Sequence, residues 1–215
     1  MIPNPYYDEY RKTIDKFSNA TLLAGEKIKQ NRTKYYDDII MADTDTLQKR
    51  RKLAPKYAWA IPTTDVIDLI VSQGPLIEVG CGTGYWASLI RQAEGDIVAT
   101  EPFFGEKNYY VDQIIYTTIL REDHTVVKDY PHRTLLIIWP PIDSWCLKML
   151  KIYQGNKIIY IGEGYTGCTG TNSFHNYLDR HFNLVNEVNI PRWPYLNDTL
   201  KIYHRKLSLV KEKKE

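Results

Sequence analysis

Cysteine is scarce in this 215-residue chain: Cys81, Cys146 and Cys168 are three in number and show no C-x-x-C spacing. An odd, unspaced set excludes a disulfide framework and a zinc site, and it fits a reducing compartment. No apolar run approaches the roughly eighteen residues of a membrane-spanning helix, so no membrane association is expected. The start, "MIPNPYYDEYRKT", has no apolar core of the kind a signal peptide needs. The expected location is cytoplasmic. Charge of one sign is missing too: 28 Lys and Arg against 26 Asp and Glu leave +2. That balance leaves nucleic acid a possible partner but not the favoured one. No motif speaks to oligomeric state.

What is present is an ordinary folded composition, 43% hydrophobic and 25% charged. Residues 1–56 read as a polar helical extension, with the basic run "QKRRK" at 48–52 as a solvated helix face or a phosphate-binding patch. "PTTDVIDLIVSQG" is a capped helix, with Pro62 and Thr63 or Thr64 at its start. "PLIEVG" and "DIVATE" are strands separated by the helix "YWASLIRQAEG". "EKNYYVDQII" reads as a helix, and "YTTIL" or "HTVV" as a third strand. "RTLLIIW" and "NKIIYIG" are the fourth and fifth, with helices at "DSWCLKMLKIYQG" and "TNSFHNYLDRHF". "NLVNEVNI" and "TLKIYHR" leave no room for a helix between them, so they pair antiparallel. The alternation predicts an α/β domain over 57–207, a Rossmann-like seven-stranded, mostly parallel sheet with an antiparallel last strand. Helices cover both faces, an N-terminal helical cap precedes the domain, and 208–215 is a charged tail.

Two glycine turns compete for a cofactor. "IYIGEGYTGCTG" contains G-x-G-x-x-G at Gly162, Gly164 and Gly167, with Glu187 twenty residues on. By pattern that is a dinucleotide fingerprint. Glu187, however, falls in mid-strand and points into a sheet face. "EVGCGTGYW" follows the first strand, where a doubly wound sheet binds its ligands. Gly80, Gly82 and Gly84 make a tight turn of bare backbone, Tyr85 breaks the dinucleotide pattern, and Glu101 ends the second strand. A carboxylate there can accept both hydroxyls of a ribose. The plain alternative is a tight turn that holds no ligand.

"EVGCGTG" followed by "TEP" resembles the cofactor fingerprint of class I S-adenosylmethionine-dependent methyltransferases. "KYAWAIP", "GTGYWA", "LLIIWPP", "IYIGEGYTGCTG" and "IPRWPYLNDTLKIYHR" together resemble one group of class I methyltransferase-like proteins. Those motifs bring no acceptor with them. The resemblance implies that Gly80, Cys81, Gly82 and Gly84 pass under the methionine portion and ribose of S-adenosyl-L-methionine. It implies further that Glu101 holds the ribose hydroxyls and Glu78 fixes the loop and the methionine amino group. Asp123 is the acid expected beside adenine. Tyr57 and Trp59 form part of a lid, or pack the cap onto the sheet.

Amino methyltransferases of this architecture carry a polar residue, then Pro-Pro and an aromatic, after the fourth strand. Here Trp139 precedes Pro140 and Pro141, and Ile142 follows. Trp139 is then an apolar or π wall for the acceptor, or it is core. Asp143 and Glu163 are the candidate bases, with loop stapling as the other role for Glu163. His175, Arg192 and Trp193 are candidate substrate contacts; a lone histidine is more often structural. No metal site is expected. The expected activity is methyl transfer to an unidentified acceptor, a small molecule or protein side chain. The alternatives are a cofactor-binding module without transfer and, less favoured, an NAD-dependent oxidoreductase.

Overall fold

The computed structural model describes residues 2–28 and 36–207, so the tail predicted at 208–215 lies outside the described residues. Strand β1 (Leu76–Val79), bounded by Pro75 and Gly80, is buried at every position, the charged Glu78 among its apolar neighbours included. It lies between β2 (Ile97–Thr100) and β3 (Thr134–Ile138), parallel to both. The chain leaves β1 for one neighbour and later crosses over to the other. The switch point therefore falls at the carboxyl end of β1, where the strands on each side open a crevice. Strand β4 (Lys157–Gly162) continues the parallel block. Strand β6 (Thr199–Arg205) inserts antiparallel between β4 and β5 (Phe182–Asn189), giving the order β2-β1-β3-β4-β6-β5.

Alternation along the strands divides the core into two layers. Leu136, Ile159 and Ile161 face α3 (Thr64–Val71) and α4 (Tyr85–Gln92). Leu135, Ile137, Ile158 and Tyr160 face α5 (Trp145–Ile152) and α6 (Asn172–His181). Helix α3 starts at the expected cap, with Thr63 accepting from the Val66 amide. Helices α1 (Pro5–Ile28) and α2 (Tyr36–Lys56) pack on each other. Their Tyr6, Tyr10 and Leu53 join the first core layer.

The sheet has six strands among the described residues, where seven were expected. "YTTIL" contributes a single parallel bridge, Leu120 to Thr100. "HTVV" lies in a 3₁₀ turn, His124–Lys128. The Asp123 carboxylate accepts from the Thr125 amide and hydroxyl, and that local bond turns the backbone away from the sheet. The helix expected at "EKNYYVDQII" is absent for a similar reason. Asn108 Oδ1 accepts from the Tyr110 and Val111 amides and closes a local turn that a helix cannot contain.

Candidate active site

Strand β1 runs straight into the turn at 80–84, whose three glycines have φ of +75°, +57° and +73°. Gly80 and Cys81 donate to the Thr100 carbonyl at 2.9 and 3.0 Å, tying the turn to the end of β2. Gly82 has a second reason to lack a side chain, because a Cβ there would lie 2.8 Å from Val111 Cγ1. Gly84 caps the N-terminus of α4 and stands outside the cavity wall.

A cavity of about 540 Å³ opens over this turn. Among the sequence candidates it brings together Tyr57, Trp59, Glu78, Gly80, Cys81 and Gly82. Glu101, Asp123, Trp139, Pro141 and Asp143 complete that set, and Trp145 adds a wall that the sequence reading did not single out. Glu78 is 2% exposed, and its Oε2 has no hydrogen-bond partner among the described residues. Burial pushes its carboxyl up to about 8, with Arg91 opposing and Glu101 adding to the rise. Glu101 Oε2 accepts from the Gly82 amide at 3.1 Å and its Oε1 from the Phe103 amide at 3.2 Å. Burial raises the Glu101 carboxyl against those two bonds. The Cys81 thiol is held well above its usual range by burial, with Glu78 and Glu101 adding. That is the opposite of what a thiolate nucleophile requires.

Trp139 is a wall residue. It has φ of +50° at the end of β3, and its amide donates to the Ile161 carbonyl at 2.7 Å. Its indole stacks on Trp59 with centroids 5.0 Å apart and planes 19° apart. Trp59 is held in turn by a bond from its Nε1 to the Tyr110 carbonyl, 2.8 Å. Pro140 is buried behind the wall, its carbonyl accepting from Gly170. Asp143 is exposed at the rim, and its Oδ1 accepts from the Ser144 amide and hydroxyl.

Four expectations fail here. Glu163 is buried and does not line the cavity. Its Oε2 accepts from the Cys168 amide and thiol at 2.8 and 3.0 Å, and its Oε1 from the Asn197 amide at 2.8 Å. Burial raises this carboxyl, but the bonds from Cys168 and Asn197 outweigh it and hold the group below its usual range. Glu163 is a staple, and that explains Gly167: a Cβ there would meet the Glu163 Cβ at 2.2 Å. His175 is buried, bonded through Nε2 to the Thr169 carbonyl and packed edge-on against Tyr160. Trp193 is 1% exposed and donates to the Tyr6 hydroxyl at 3.1 Å, anchoring α1. Arg192 acts through its carbonyl, which accepts from the Tyr10 hydroxyl at 3.0 Å. None of these three lines the cavity. The mid-strand Glu187 is exposed and pairs with Lys201 at 3.5 Å, away from any crevice.

E163Q is expected to lose about 1–3 kcal/mol, because an amide nitrogen must face a backbone donor. The melting temperature then falls by roughly 2–10 °C while ligand binding in the cavity is unchanged. A variant that melts normally but loses ligand binding would restore Glu163 to the site.

Besides Trp145, the sequence reading missed Asp198 and Arg50. Asp198 is 1% exposed and accepts from Trp139 Nε1 at 2.9 Å; burial lifts its carboxyl to about 6 against that bond. Arg50, inside the basic run, places its guanidinium 5.1 Å from the Trp59 ring centroid and 5.4 Å from that of Trp139. A signal for Arg50 existed. Arg50, Ala54 and Tyr57 are spaced i, i+4, i+7, and the last two line the cavity. Asp198 offered none, since 59 residues separate it from Trp139.

No protein-family model matches the sequence, and no curated protein matches it. Solved structures of similar course include magnesium protoporphyrin IX methyltransferase from Synechocystis PCC 6803 with bound SAM. It is 11% identical over 92% of this chain and 97% of that chain, with a TM-score of 0.45. A putative tRNA (m1A22) methyltransferase of Streptococcus pneumoniae is 13% identical over 69% and 74%, with a TM-score of 0.43. A methyltransferase of calicheamicin biosynthesis, in its SAH-bound form, is 8% identical over 94% and 68%, with a TM-score of 0.40. At such scores, what those proteins bind and methylate stays with them.

Proposed function

We propose that this chain is an S-adenosylmethionine-dependent methyltransferase acting on a small molecule or a protein side chain in the cytoplasm. One observation carries the reading: the buried, unpartnered Oε2 of Glu78 beside a turn of bare backbone. An orphaned carboxylate oxygen in a cavity wall is costly unless a ligand completes it. A primary ammonium such as the methionine amino group does so. Gly80, Cys81 and Gly82 fit the backbone-lined part of that ligand, and α4 follows directly after its N-cap Gly84, a helix N-terminus of the kind that favours a carboxylate. Glu101 has the two oxygens that ribose hydroxyls need, and Asp123 borders the same cavity. When bound, the cofactor supplies an activated methyl group on a sulfonium. The chain itself supplies a walled site lined by Tyr57, the stacked pair Trp59 and Trp139, Pro141 and Asp143. Among the described residues no helix is long and apolar enough to cross a membrane.

A cofactor-binding module without transfer is the second reading. Trp139 motivates it, because this residue stands where a polar group would orient the acceptor in amino methyltransferases.

Melting with S-adenosylmethionine, its demethylated product or NAD separates these readings from a dinucleotide enzyme. A ligand at a hundredfold excess over Kd adds about 2.7 kcal/mol. In a domain of this size that raises Tm by about 5–10 °C. The expected result is a rise with both sulfur compounds and none with NAD. No rise with either at millimolar ligand would withdraw the proposal. A rise without turnover of any acceptor would favour the module.

A further inference from the structure

We infer that the acceptor end of the cavity takes a cationic amine carried on a flat apolar body, and that it rejects carboxylates and phosphates. The inference rests on the cofactor reading, which commits Glu78 and Glu101 and leaves the wall after β3 to the acceptor. Four carboxylates line the cavity, from Glu78, Glu101, Asp123 and Asp143, and no Lys or Arg does among the described residues. An anionic acceptor would enter against the Asp143 carboxylate, with His124 the one basic side chain on the wall among the described residues and Arg50 already placed beside the indoles. A cation would enter with the field.

The aromatic wall points the same way. Stacked Trp59 and Trp139 offer the π surface on which flat groups and cations rest. The pair already receives one cation, the Arg50 guanidinium, from outside the cavity. Trp139 also donates its indole N–H to the buried Asp198 carboxylate, placing negative charge at the edge of the ring. At the rim, Asp143 Oδ1 is occupied by Ser144, and its Oδ2 has no partner among the described residues. That oxygen can accept from an ammonium lying over the indoles.

Calorimetry tests the inference on the full chain saturated with the demethylated cofactor product, using phenethylamine and phenylacetate as probes of equal ring and opposite charge. The amine is expected to bind about tenfold tighter or more than the acid. D143N keeps an amide oxygen for Ser144 and is expected to bind the amine about three- to tenfold more weakly. High salt should weaken the amine in the wild type and change little in D143N. Equal or tighter binding of phenylacetate overturns the inference. So does silence from both probes at millimolar concentration when the cofactor product still raises Tm, and the cofactor reading then survives alone. If the amine binds but the cofactor product raises no Tm, the cation site stands and the cofactor reading falls.

Discussion

An E78Q protein should bind S-adenosylmethionine about a hundredfold more weakly and should be more stable than the wild type at alkaline pH. The first effect follows from removing a buried, ionised partner of an ammonium, which costs about 3 kcal/mol or more. The second follows from proton linkage. The folded protein holds the Glu78 carboxyl at about 8 against an ordinary 4.5, so folding favours the protonated form. The stability that this preference contributes is complete below about pH 4.5 and is lost as pH rises through about 8. Its full size is of order 3–5 kcal/mol, which a glutamine, having no proton to lose, does not forfeit. The wild-type Tm should therefore fall more steeply between pH 5 and pH 9 than that of E78Q, by about 10 °C. Binding reports the same carboxylate. At neutral pH the free protein is mostly protonated at Glu78, so capture of an ammonium releases close to one proton, and affinity climbs toward pH 8. Calorimetry in two buffers of different ionisation heat measures that proton. An E78Q variant with an unchanged ligand-induced Tm rise would remove Glu78 from the site.

W193A should be the most destabilising of the single substitutions considered, by about 3–5 kcal/mol. The side chain is 1% exposed, meets Tyr10 edge-on at 5.2 Å and donates to the Tyr6 hydroxyl. Truncation opens a hole where α1 joins the core and strips Tyr6 of its partner. In a chain of this length that lowers Tm by about 10 °C or more. W193F fills most of the volume and loses only the bond to Tyr6, so it should cost about 1 kcal/mol plus a small packing term. The neighbouring R192A should stay within about 0.5 kcal/mol of wild type, because the carbonyl does the bonding and the side chain is exposed. Thermal melts of the three decide the matter. A W193A protein that melts like the wild type and fails to bind acceptor would return Trp193 to the substrate lip.

What the sequence disclosed was local. Strand β1 runs directly into its three glycines, so the turn at its end was legible from one short stretch. The Thr63 cap and the antiparallel return of β6 were legible on the same grounds. The helix at "EKNYYVDQII" and the strand at "HTVV" were lost because Asn108 and Asp123 spend their side chains on nearby amides, a competition that hydrophobic spacing does not register. Glu163 was misread because its partner amide at Asn197 lies 34 residues away. With only "GEG" in view, a carboxylate that closes a loop looks the same as one that faces a ligand. The Trp139–Asp198 pair was invisible for the same reason: its meaning depends on the register of β6 against β4.

The strand order also sets a timetable for synthesis. Strand β5 leaves the ribosome before β6 yet pairs with no other strand, so it waits unpaired until Thr199–Arg205 has been made. Tyr6 waits longer still, for Trp193, 187 residues later. At about 5–20 residues per second that delay is roughly 10–40 s. Late in that interval, once Lys157–Gly162 has been made, the apolar side of α1 and the open edge of β4 face solvent together. The nascent chain is therefore most in need of shielding just before Trp193 and β6 are made, when a stop would leave both surfaces without the element that covers them.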